Sequence, residues 1–452
     1  MASFSLASLS GNMTCISLII GTLSAMETLQ PRAFTLREYD KVGILAIRGL
    51  VMCIIVLLIP IMILMTSMDT IFSLLGQDPT VSLLSNQWIH IFIWSVPCTL
   101  LFRVIQRFLA CQNIVLPCVI GSFISSIIIH PFILRLCITY FDYQGSAISI
   151  VITQLIQVII TILYVMYTQS YVKETWNGIN IDIIRNVLNQ NELLSFAKLS
   201  MGGIFSLSEW WYWESICFVA GRLGVLSLCV HSVIYQLIPL IYMIPLGISI
   251  GLSVRIGHLI PVDVMKAKYL VFYSMLLVIL VSLLVTSFIW YNQLWIITLF
   301  TTDDDVIKGC VQIWPHVCVY ILGLYIFCLN SGILRALGFQ FRMGIIIIVS
   351  LWCISLPWII YSCIQNDNAE EDGINGLITM WNILFWSYTI LNIGLITCYM
   401  TADWNDIGRK AAFSIKERDQ TILDHSLQHL DQEVGETIII RDEASSLIKH
   451  IK

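Results

Sequence analysis

Charge is what this sequence has least of: 12% of its 452 residues are Asp, Glu, Lys or Arg, against about 25% in an ordinary soluble domain. A chain that cannot cover itself with charge takes lipid as its solvent, which excludes a soluble enzyme with one anchor. Runs of Lys and Arg are missing as well, so no nucleic-acid partner is expected. The fourteen cysteines form no Cys-x-x-Cys pair and no His/Cys cluster with ligand spacing, which argues against a structural metal. Most stand singly in apolar runs, as Cys53, Cys98, Cys137, Cys229 and Cys353 do, and read as reduced thiols. No Gly-rich phosphate loop precedes a lysine, and no Ser/His/Asp arrangement competes. Enzymatic catalysis and ATP-driven transport therefore have no support, and no cofactor beyond a proton or sodium gradient is expected.

What the sequence has in abundance is apolar length. A bilayer core takes about 20 apolar residues per helix, and such runs recur at 4–27, 42–66, 86–106, 114–138, 146–168, 195–220, 226–251, 268–291, 311–334, 343–363 and 375–399. The expected fold is an all-α polytopic membrane protein of about eleven spans. Short cytoplasmic loops collect Lys and Arg, and alternate loops here differ sharply. One set holds thirteen basic residues, among them Arg32, Lys41, Arg107, Lys173, Lys198, Lys266, Arg335 and Arg342, while the other holds only Arg135, Arg222 and Lys308. The rich loops, and the tail that follows the last span, are expected in the cytoplasm. The acidic runs Asp303-Asp304-Asp305 and Glu370-Glu371-Asp372 mark loops on the other side.

Arg107-Phe-Leu-Ala-Cys-Gln112 and Arg335-Ala-Leu-Gly-Phe-Gln340 each close one span and open the next, 228 residues apart. Six spans separate them, an even number, so the halves read as parallel repeats about an axis along the membrane normal. The motif follows the fourth span of the second half but the third of the first. One helix is therefore expected to be missing before Met1, with a genuine eleven-span chain as the alternative.

Several segments resemble a known family. Ser24-Ala-Met-Glu-Thr-Leu29, Gly76-Gln-Asp-Pro79, Arg107 through Pro117, Glu209-Trp-Trp-Tyr-Trp-Glu214, Ser253-Val-Arg-Ile-Gly257 and Gly332-Ile-Leu-Arg335 are similar, in order, to signatures of the multidrug and toxic compound extrusion transporters, especially the eukaryotic branch. The resemblance implies two pseudo-symmetric lobes, here of five and six helices. Residues 1–168 would form the N-terminal lobe, 169–194 a cytoplasmic linker, 195–400 the C-terminal lobe and 401–452 a cytoplasmic tail. It also implies export of organic cations or metabolites in exchange for protons or sodium. The chain departs from the family pattern at Gln30-Pro-Arg32, and has Gln236 and Leu324 where eukaryotic members commonly carry acids. Coupling through a carboxylate network is in doubt on that account.

An ionised carboxylate inside a span costs several kcal/mol unless paired, wet or protonated, so intramembrane acids are functional candidates. Glu209 and Glu214 are the clear cases, both inside the span 195–220. Five residues turn a helix by about 500°, placing the two side chains about 140° and about 7.5 Å apart. Tyr212 and Trp213 follow Glu209 at i+3 and i+4, on its own face. A carboxylate beside aromatic rings suits an organic cation, each ring adding about 0.5–2 kcal/mol. Tyr235 and Gln236 are candidates to line the facing helix with neutral hydrogen bonds, Asn12 and Asn330 weaker ones, and His130 a titratable group mid-span. The plainer alternative is that Glu209 hydrogen-bonds a neighbouring helix while the tryptophans pack.

The leading functional reading is a monomeric antiporter that exchanges a small organic cation or metabolite for protons or sodium, in a plasma or internal membrane. Two alternatives stand beside it: a transport-inactive relative serving as a binding or regulatory membrane subunit, and a lipid-precursor flippase. The flippase calls for a basic cavity, and no intramembrane Lys/Arg cluster supplies one. Ile422, Leu423, Leu427 and Leu430 suggest an amphipathic helix in the tail.

Overall fold

The computed structural model describes residues 2–74, 79–169, 171–176, 178, 181–364 and 373–410. Among them secondary structure is helical throughout, with no strand. The acidic run Glu370-Glu371-Asp372, Gly76-Gln-Asp of one family-like segment and the tail from 411 on lie outside the described residues.

Among the described residues eight helices are long and apolar enough to cross a bilayer, and a bent pair makes a ninth. They are Leu6–Thr35 (α1), Tyr39–Thr66 (α2), Pro79–Phe92 with Ser95–Ala110 bent by 47° (α3), Leu116–Thr168, Val225–Leu259 (α7), Val264–Tyr291 (α8), Asp304–Leu337 (α9), Gln340–Cys363 (α10) and Gly373–Met400 (α11). Leu116–Thr168 has 53 residues, about 80 Å of helix against a core of about 30 Å. Its backbone leaves helical geometry at Asp142, where φ is 48° and ψ is −128°, and it is two spans, α4 before that point and α5 after it. Gln190–Ser206 and Ser208–Arg222 form α6, broken at Leu207. The eleven expected spans are thus present. The two segments of α6, of 17 and 15 residues, are each too short to cross alone, and together they cover the apolar run 195–220.

Two large hydrophobic cores divide the chain. One draws on residues 7 to 147 with Phe196, the other on residues 212 to 404. The second is organised by α9, whose most apolar stretch is 83% buried, whereas the corresponding stretch of α8 is only 17% buried and turns Leu276, Leu277, Leu280 and Leu284 outward. With no water in the hydrocarbon to compensate it, each polar backbone group needs a partner. Pro245 in α7 has no N–H to offer the carbonyl of Ile241 one turn earlier, and Tyr325 of α9 donates its hydroxyl there at 3.2 Å.

The first segment of α6 lies between the halves, against α1 on one side and the start of α10 on the other. Gly202 and Gly203 make this possible. A Cβ on Gly202 would collide with the backbone of Gln340 and Phe341, and one on Gly203 with Gly21 O and Ser24. Ser200 ties the contact by donating to Thr22 O at 3.0 Å. Two of the three π-helical turns, Asn12–Ile16 in α1 and Ile348–Ser355 in α10, border the region of Glu209 described next, in keeping with the tendency of such turns to mark functional sites.

Candidate functional site

The second segment of α6 begins at Ser208, one residue before Glu209. Glu209 was expected well inside the span 195–220; within that span it sits in the first turn after a break. Ser206 closes the earlier segment by donating to Gly203 O at 2.7 Å. Trp352 holds the start of the next by donating its indole N–H to Ser208 O at 3.2 Å. The break aims the Glu209 side chain at the seam between the halves.

There it lines a cavity of about 370 Å3 with Trp210, Trp213, Glu214, Tyr235 and Tyr242, while Asn12 and Ile16 of α1 form the opposite wall. Ile238, Pro239, Met243 and Leu324 complete it. Glu209 and Glu214 reach the same space because positions i, i+1, i+4 and i+5 make a stripe about 140° wide. The two faces expected to be separate are the edges of one wall.

Each carboxylate has its own tyrosine. Tyr388 of α11 donates to Glu209 Oε1 at 2.6 Å, and the indole N–H of Trp213 donates to the Tyr388 oxygen at 3.1 Å. Tyr235 of α7 donates to Glu214 Oε1 at 2.5 Å. Glu209 is 3% exposed, and Glu214 is partly open to the cavity. An isolated carboxylate so buried would be costly, and a charge-assisted hydrogen bond offsets part of that cost.

Not every candidate converges here. Tyr212 is fully buried and shares a hydrogen bond of 2.6 Å with Ser355, behind the wall rather than on it. Trp213 lines the cavity, but Tyr320 and Trp381 pack against its ring at 5.3 and 6.0 Å between centroids, so Trp210 and Tyr242 are the freer aromatic faces. Gln236 is exposed and points away. Asn330 donates to Asn392 at 3.0 Å, and Asn392 to Gly323 O at 2.9 Å, which ties α9 to α11. His130 shares a hydrogen bond of 2.8 Å with Thr153 inside the first half. Among the described residues no group of three or more His, Cys, Asp or Glu has metal-binding geometry.

Tyr388, Trp210 and Tyr242 were not picked out from the sequence. Trp210 was within reach, since the stripe that contains Glu209 and Glu214 also contains it. Tyr388 carried no local signal.

Three comparisons bear on this architecture. The family model MatE matches residues 1–134 and 203–360. Multidrug and toxin extrusion protein 1 of Oryctolagus cuniculus is 27% identical over 352 residues, covering 76% of this chain and 60% of the relative, and its Homo sapiens counterpart gives the same figures. Multidrug and toxin extrusion protein 2 of Pongo abelii is 28% identical over 376 residues, 79% of this chain and 63% of that protein. The chain thus spans about 60% of the length of the first two. Among solved structures, the eukaryotic MATE transporter AtDTX14 superposes with a TM-score of 0.81 at 20% identity, covering 92% of this chain and 90% of the other. A Vibrio cholerae MATE transporter, VcmN, gives 0.69 at 16%, covering 88% and 89%.

Proposed function

The chain belongs to the MatE family, and from that premise we propose that it is a cation-coupled secondary transporter. In this reading it exports small organic cations or metabolites in exchange for protons or sodium. The halves 1–168 and 195–400 alternate around the cavity at their seam, the linker and tail stay with the basic loops in the cytoplasm, and the monomer is the working unit. The observation that carries the reading is the pairing of two tyrosine-bonded carboxylates with the open rings of Trp210 and Tyr242 in one inter-half cavity. Such a wall attracts a cation by charge and by its ring faces, and the same carboxylates take a proton when the cation leaves. The absence of a basic residue among the cavity's lining weighs against an anionic lipid headgroup as cargo.

The test is uptake of a fluorescent organic cation by proteoliposomes under an imposed pH gradient, with a sodium gradient as the second arm. Glu209→Gln keeps the size and removes the titratable charge, so driven uptake should fall at least tenfold, about 1.4 kcal/mol. Folding should survive, because a neutral amide costs less to bury than a carboxylate. Glu214→Gln, which leaves the more deeply buried acid in place, should cost less. Undiminished uptake by the Glu209→Gln protein would refute the mechanism. A wild-type protein that binds the cation without moving it under either gradient would favour the regulatory-subunit alternative.

A further inference from the structure

The repeated arginine motifs play no part in the cavity, yet they meet. Arg107 Nη2 lies 2.6 Å from Glu27 Oε1 and Arg335 Nε 3.0 Å from Glu27 Oε2. The carboxylate is 3% exposed, and its partners are 9% and 13% exposed. Arg107 belongs to the same half as Glu27, and Arg335 to the other. One oxygen is therefore spent within a half and the other across the seam.

The chemistry around this triad also crosses the seam. The last carbonyls of a helix have no intrahelical donor, and those of α9 are met from α1. Thr28 donates to Arg335 O at 2.5 Å and Arg32 to Ala336 O at 2.6 Å. Gln340, the last residue of the second motif, donates to Thr28 Oγ1 at 2.6 Å. Cationic donors at a helix C-terminus are also favoured by its dipole.

We propose that the Glu27–Arg335 ion pair is the latch that holds the two halves shut at the basic end of the bundle, and that releasing it is the step that opens this end. The proposal rests on the alternating-access reading above. Separation leaves no naked charge, since Glu27 keeps Arg107, and Arg335 keeps the hydroxyls of Ser331 and Ser249, to which it donates at 3.0 and 3.1 Å. A buried pair with no such second partners would be far harder to part. The repeat makes the latch single: 228 residues after Glu27 stands Arg255, exposed and of the opposite charge. The latch and the cavity also share a helix. Asn12 on the cavity wall and Glu27 are fifteen residues apart on α1, about 22 Å along its axis, so an occupant that shifts one end of α1 acts on the other.

Lys41 of the first half and Arg342 of the second both line a cavity of about 1000 Å3 at this end and take spin labels, after Cys98, Cys217, Cys229, Cys353 and Cys398 are changed to serine. Distances between the labels are measured in micelles, without substrate or gradient, so the result does not depend on transport. The parent should give one narrow distribution. Arg335→Gln removes the charge that crosses the seam, together with the donations to Ser331 and Ser249 inside its own half, and should raise a longer-distance population at least tenfold, about 1.4 kcal/mol. Arg107→Gln cuts only the bond within the half and should leave the distribution narrow. Identical behaviour of the two variants, or no change in either, overturns the latch. If Arg335→Gln fails to fold, Glu27→Gln decides: a raised longer-distance population beside a narrow Arg107→Gln distribution supports the latch, and an unchanged distribution overturns it. A shifted Arg335→Gln protein in a chain that moves no cation would leave the latch standing and remove the transport reading instead.

Discussion

Tyr388→Phe removes one oxygen atom and reports on the charge of the site. That hydroxyl donates to Glu209 at 2.6 Å and accepts from Trp213 at 3.1 Å, and Glu209 itself is only 3% exposed. If Glu209 is ionised when the basic end is closed, the variant loses a charged hydrogen bond, worth about 1.5–3 kcal/mol. If Glu209 is neutral, the loss is that of an ordinary hydrogen bond, about 0.5–1.5 kcal/mol. The same substitution in a Glu209→Gln background gives the neutral reference directly, because the amide oxygen accepts from Tyr388 in the carboxylate's place. Reversible unfolding by SDS titration in mixed micelles measures all four proteins, and the double-mutant cycle isolates the coupling. An ionised resting site predicts a cost larger by about 1 kcal/mol or more in the wild-type background. Costs below about 0.5 kcal/mol in both backgrounds would refute the contact between Tyr388 and Glu209 itself.

Two further outcomes follow from local geometry. Gly203→Ala drives a methyl into Gly21 O and Ser24 and should cost about 1–3 kcal/mol by overpacking in the same unfolding assay, whereas Gly247→Ala on α7, with no atom within 4 Å of the new methyl, should be neutral or stabilising by about 0.4–1 kcal/mol. Asp303 caps α9 by accepting from the N–H groups of Asp305 and Val306 at 2.9 and 3.3 Å, so Asp303→Ala should cost about 1 kcal/mol while cation uptake by the folded fraction is unchanged.

Apolar length made the eleven spans legible without a structure, since hydrocarbon imposes the same requirement on every crossing. The span that holds Glu209 was among them because its charges interrupt an otherwise apolar run rather than replace it. Helical periodicity tells which residues share a face but not what stands opposite. It therefore placed Trp213 on the face of Glu209, set Glu214 about 140° away, and said nothing of Tyr388, 179 residues away in the chain. It also left Tyr212 on the expected face of the helix while the fold turned that face toward Ser355. Glu27 was passed over because an acid at the end of a span normally meets water. Here two arginines from motifs 228 residues apart enclose it, a convergence that no local pattern encodes.

On the alternating-access reading proposed above, the distribution of charge along the seam determines how an occupant acts on each half. Every acid that lines the Glu209 cavity belongs to the second half, and the first half contributes only Asn12 and Ile16. A cation that settles there is therefore held by one wall and merely touched by the other. At the far end of α1 the order is reversed: the acid is Glu27 of the first half, and the second half brings the cation, Arg335. On that reading, an occupant that leaves the second half's own hydrogen bonds to Tyr388 and Tyr235 in place acts on the first half mainly by steric contact with Asn12 and Ile16. Since a ligand shifts an equilibrium only as far as its affinity differs between the two states, the substrate that drives exchange best should be the one that presses on Asn12 and Ile16, and not the one that binds the carboxylates most tightly. Asn12→Ala should then weaken the dependence of uptake rate on substrate size while leaving equilibrium binding of a small cation within about threefold of wild type, less than about 0.7 kcal/mol. Loss of binding in the Asn12→Ala protein would instead make α1 part of the cation's own site and move the division of labour between the halves.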